Sequence, residues 1–93
     1  MPKVESPTAF LRRLKKALAN DLKEIDIPAK VGSQRVPGTK LHRVMVLAPK
    51  FKALRHTERQ DLVWRIAEKT LSWDEQLRIS MIVTLTPDEA DGR

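Results

Sequence analysis

Residues 41–71, LHRVMVLAPKFKALRHTERQDLVWRIAEKTL, change their apolar period halfway along, and that change decides the fold class. Leu41 to Ala48 is nearly continuous in apolar character and reads as a central strand. Pro49 stops it, because proline cannot donate to a strand ladder. Lys50 to Arg55 has the length of a short helical turn. From Thr57 onward the period becomes helical. Thr57 and Gln60 have the spacing of a capping box. Leu62, Val63, Ile66, Ala67 and Thr70 then form the inner face of a helix reaching about Leu71, with Trp64 at its margin.

Working outward, Ser72 to Gln76 reads as a polar connection containing Trp73. Leu77 to Leu85 alternates, with Leu77, Ile79, Met81, Val83 and Leu85 on one side and Arg78, Ser80, Ile82 and Thr84 on the other. The tail from Pro87 is acidic and is expected to fray. Upstream, Ser6-Pro7 is a helix-start signal. Phe10, Leu11, Leu14, Ala17 and Leu18 recur at helical spacing, and the helix is expected to end near Asn20. Lys23 to Ile27 reads as a short strand ended by Pro28. Residues 28–40 read as a long loop, a length that is often functional. The order is α-β-β-(turn)-α-β. It predicts an α+β fold: a three-stranded mixed sheet covered on one face by helices. The first two strands pair as an antiparallel hairpin, and the last pairs in parallel through a crossover. The length of 93 residues predicts one domain, 1–93, with an ordered core over about 7–87.

Composition narrows the function. The chain has no Cys, so disulfides, thiolate ligands and a Cys nucleophile are excluded. Nothing approaches the roughly 20 apolar residues of a membrane span, and the N-terminus has no apolar signal core; a cytoplasmic protein is expected. The charge is uneven. Residues 1–55 carry 13 Lys/Arg against 4 Asp/Glu, whereas residues 56–93 carry 5 against 8. A concentrated basic surface attracts polyanions, although solubility alone accounts for some small basic proteins. His42 and His56 belong to no metal motif and read as ordinary surface or packing residues. Asp88 and Glu89 sit in the expected tail, where they cannot flank a cleft. Gly32, Gly38 and Gly92 make neither a phosphate loop nor a GxxG clamp. No base, nucleophile or metal set converges, so a binding protein without enzymatic activity or cofactor is expected. The helix-turn-helix-like segment from Lys50 offers Lys50, Lys52, Arg55, His56 and Arg59 to nucleic acid at a helix start. Arg12, Arg13, Lys15 and Lys16 on the first helix offer a second patch. With only Phe10, Phe51, Trp64 and Trp73 as aromatics, phosphate contact is favoured over base reading.

The stretch RVMVLAPKFKALRHTERQDLVWRIAEKTL…LRISMIVTLTPDE resembles the BolA family. The likeness rests on the strand Val44 to Leu47, Phe51, Arg59, Leu62-Val63-Trp64, the strand Ile79 to Leu85, and Thr86-Pro87-Asp88-Glu89. It covers about residues 9 to 90. The resemblance implies a class II KH-like fold, α-β-β-α(turn)-α-β. It also implies DNA binding with transcriptional regulation, as in a stress response, or pairing with a monothiol glutaredoxin in iron–sulfur cluster trafficking. A ribosome- or RNA-associated KH-like protein is a further alternative. Such a protein is expected as a monomer or weak homodimer. The chain departs from the family pattern in places. Gln60 and Arg78 stand where the family carries histidines, and His42 is offset by about one residue from the family's hairpin ligand. Arginine is no ordinary soft-metal donor, so cluster ligation is not expected here.

Overall fold

The structure is a computed structural model that describes residues 7–92. Its elements run α1 (Ala9–Glu24), β1 (Lys30–Arg35), β2 (His42–Leu47), a 3₁₀ turn (Pro49–Ala53), α2 (His56–Thr70), α3 (Trp73–Gln76), β3 (Ile79–Leu85) and α4 (Pro87–Ala90). The sheet order is β1-β2-β3. β1 pairs antiparallel with β2, and β3 pairs parallel with it. The expected α+β class, central strand and right-sized crossover are therefore present. Helices α1 and α2 pack on each other and on one face of the sheet.

Each element buries one stripe. In α1, Phe10, Leu11, Leu14, Leu18 and Leu22 are buried. They meet Val44 and Val46 of β2, Ile79 and Ile82 of β3, and Val63, Ile66 and Ala67 of α2. Phe51 is fully buried beneath the 3₁₀ turn. Burying each such side chain stabilises the fold by about 1.5–3 kcal/mol, which matters in a domain this small.

Four local expectations need correction. First, α1 does not end near Asn20. Leu22 extends the stripe by one more turn, and the helix closes in a Schellman motif. The Ile27 N–H donates to Leu22 O at 2.8 Å, the Asp26 N–H donates to Lys23 O at 3.0 Å, and Asp26 takes φ 65°. Ile25 and Ile27 thus belong to a helix end rather than a strand, and the expected Ser6 cap lies outside the described residues. Second, the true β1 lies inside the stretch read as a loop. KVGSQR has a single β-branched residue and only intermediate burial, so its strand state comes from pairing with β2 rather than from propensity. The tip is a type II-like turn: the Thr39 N–H donates to Val36 O at 3.1 Å, Pro37 follows, and Gly38 takes φ 75°.

Third, the capping box sits two residues earlier than Thr57. The Glu58 carboxylate accepts from the Arg55 N–H at 2.9 Å, and α2 begins at His56. Ser72 to Gln76 is likewise a capped turn of helix, with the Glu75 N–H donating to Ser72 Oγ at 3.2 Å. Fourth, the tail does not fray at Pro87. Thr86 caps α4, accepting from the Glu89 N–H at 3.2 Å.

The alternation of the last strand is also broken once. His42 faces Ile79 but Arg43 faces Met81, so Ser80 is an extra residue. A one-residue slip reverses every later side chain. Ile79 is buried before the slip, and Ile82, Thr84 and Thr86 are buried after it. Met81 and Val83 join Met45 on the opposite face, which no helix covers: Met45 is 37% exposed and Met81 46%.

Candidate nucleic-acid interface

Of the five expected groups at the start of α2, Arg59 and Lys50 are committed to the fold. Arg59 is only 5% exposed. Its Nε donates to Leu54 O at 3.2 Å, and its Nη1 donates to Thr84 O at 3.4 Å and to Glu89 Oε1 at 2.8 Å. Its guanidinium lies 5.7 Å from the centre of the Phe51 ring. The expectation of a phosphate contact at Arg59 is therefore corrected: the group is a buried internal tie, as expected of an arginine that must satisfy its donors. Lys50 forms an ion pair with Asp26. Lys52, Arg55 and His56 are exposed, yet the Glu58 carboxylate already occupies the first turn of α2, where an anion would otherwise dock. Lys52, Arg55 and His56 thus remain accessible but face a neutralised helix end.

The second expected patch divides in the same way. Arg13 pairs with Glu75 of α3. Arg12 and Lys15 line a cleft between α1 and the β1–β2 hairpin, together with Ser33, Arg35 and His42. Lys16 is exposed outside it. An adjoining hollow shares Arg35 and His42 and adds Lys40 and Arg78. Among the described residues, no carboxylate lines either concavity. Among the described residues, Arg12, Lys15, Arg35, Lys40 and Arg78 enter no ion pair. Arg35, Lys40 and Arg78 escaped the sequence reading because they are far apart in the chain. Arg35 and Lys40 had one sequence signal, the cationic, acid-free stretch 28–40, and Arg78 lies outside it.

Local structure holds this cleft in shape. The His42 N–H donates to Arg78 O at 2.9 Å, which joins the start of β2 to the start of β3. The buried Phe10 ring meets His42 edge-on at 5.8 Å and carries the Arg78 guanidinium 5.8 Å from its centre. Arg35 Nε donates to Thr39 O at 2.8 Å, folding its side chain over the hairpin tip. Burial first, and the Arg35 charge second, hold the His42 pKa below the ordinary imidazole value. His42 is thus a neutral donor–acceptor set among fixed cations at neutral pH.

The same geometry bears on metal chemistry. Gln60 Nε2 donates to Ile82 O at 2.8 Å and to Thr84 Oγ1 at 3.1 Å, so its amide is used within the fold. Arg78 has no lone pair to offer a metal. These two positions and His42 do not fit an iron–sulfur cluster. Among the described residues, no three His, Asp or Glu side chains gather as a metal site. No described helix is long and apolar enough to cross a membrane. No family model matches the chain, and no curated protein matches it.

Proposed function

We propose that the chain is a non-enzymatic, cytoplasmic BolA-like regulatory protein that binds nucleic acid through the cleft between α1, the β1–β2 hairpin and the start of β3. The observation that carries this reading is the meeting of five cations outside any ion pair, Arg12, Lys15, Arg35, Lys40 and Arg78, in two adjoining concavities that no described carboxylate lines. Opposing cations brought together by folding repel one another, and an anion relieves that repulsion. Five such groups suit a run of phosphates rather than a single small anion. The test is fluorescence anisotropy with a labelled oligonucleotide between 50 and 200 mM salt, a range over which the Debye length falls by about half. Contact with four or five phosphates predicts a log–log slope near −3 to −4.5. A flat salt response, or no binding at low salt, overturns the reading.

A second reading, a protein adapter paired with a monothiol glutaredoxin, draws support from the uncovered sheet face bearing Met45, Met81 and Val83. Exposed methionines serve adaptable protein contacts. Met45→Asp would abolish such pairing while leaving nucleic-acid binding intact.

A further inference from the structure

Resting on the cleft as the phosphate site, we propose that its ligand is single-stranded nucleic acid, with one unpaired base stacked on Trp73. Trp73 is 72% exposed and Leu77 is 59% exposed. They lie four residues apart, on one side of a helical turn, and form an apolar platform in the surface. A large aromatic left this far in water has no packing role in the fold.

The turn that carries the platform leads into Arg78, which lines the cleft. The Leu77 N–H donates to Trp73 O at 3.2 Å, and the Arg78 N–H donates to Glu75 O at 3.0 Å. Arg78, a cleft cation, therefore follows directly from the turn that carries Trp73. Trp73 lies five residues before Arg78 in the chain. Glu75 is spent on Arg13, which both ties α3 to α1 and removes one carboxylate from the approach. Asp74 remains exposed beside Trp73.

The chemistry selects the form of ligand. A stacked duplex presents no free base face to an indole, whereas an unpaired strand does. A lipid surface also attracts tryptophan and cations, but here the cations line a concavity. A narrow phosphodiester chain enters it; a flat bilayer meets only its rim.

The experiment compares Trp73→Ala with wild type on a single strand, the matching duplex and anionic vesicles. Trp73→Ala should weaken single-strand binding about tenfold. Duplex binding and the salt slope should stay unchanged. Equal affinity of the two proteins for the single strand overturns the proposal. So does a wild-type preference for duplex, or a Trp73 signal seen with vesicles but not with oligonucleotide. An Arg35→Ala/Lys40→Ala variant separates the layers. If it loses all binding while Trp73→Ala loses none, the cleft stands and the stacking fails. If it loses none, the cleft itself is wrong. Circular dichroism confirms that each variant is folded.

Discussion

Two regions of this molecule concentrate positive charge, and folding treats them in opposite ways. At the start of α2, Arg59 is buried against Glu89, Lys50 is paired with Asp26, and Glu58 occupies the helix entrance. At the mouth of α1, cations from three separate segments converge with no described acid among them. The first region draws its cations from one stretch of the chain; the second gathers them from three and leaves more charge available to a partner. Local density in the chain is thus a poor guide to surface potential, because carboxylates distant in sequence decide which cations are neutralised. Glu75 lies 62 residues from Arg13, and Glu89 lies 30 from Arg59.

The sharpest way to break this contrast is Arg59→Ala. If Arg59 is an internal tie, its loss leaves Leu54 O without that donor, Glu89 without its ion pair and the Phe51 ring without its cover. Urea unfolding should show a loss of about 2–3 kcal/mol. Oligonucleotide affinity of the protein that remains folded should be unchanged. A variant of normal stability that binds tenfold more weakly would return Arg59 to the interface.

A matched pair of double variants tests the contrast from the other side. Arg35→Ala/Lys40→Ala should flatten the salt slope by about 2, roughly one for each cation removed. Lys50→Ala/Lys52→Ala removes the same formal charge and should change the slope by about 1 or less, since Lys50 is already paired. Equal effects in the two variants would show that net charge alone governs binding.

The smallest effect expected is on stability against pH. The folded pKa of His42 lies below its ordinary value of 6.5. Above that value the imidazole is neutral in both states and makes no difference. As pH falls through it, the unfolded chain takes a proton that the folded chain refuses, and stability declines. Glu75 is held low first by the Ser72 N–H, with Arg13 adding to it. Glu89 is held low first by the Thr86 N–H and then by Arg59. Their stabilisation is complete above the ordinary value of 4.5 and is lost as pH drops below it. All three shifts act in one direction, so melting temperature should fall in two shallow steps from pH 8 to pH 3. A rise between pH 7 and pH 5 would contradict the placement of His42.

The contrast also marks how far the sequence could be read. β2, α2 and the parallel crossover were legible because Val44, Val46, Val63, Ile66 and Ala67 announce their periods directly. β1 was not. Ile25 and Ile27 imitate alternation while serving a helix end, and KVGSQR becomes a strand only because β2 lies beside it. The slip at Ser80 escaped for the same reason, since a bulge is a property of two strands. Among the candidate site residues, Arg12 and Lys15 reach the cleft as members of the expected patch on α1. Arg35, Lys40 and Arg78 required the hairpin and the β2–β3 register to bring them there.

Gln60 and Arg59 place side-chain donors on the carbonyls of Ile82 and Thr84, along the outer margin of β3. Ala48 N–H, by contrast, reaches across to Leu85 O on the inner margin. An incoming strand therefore finds two carbonyls of that margin already bonded, and β1 is the sheet's other edge. A sheet stoppered on one side is self-limiting: two copies joined through β1 would present a closed margin at each end.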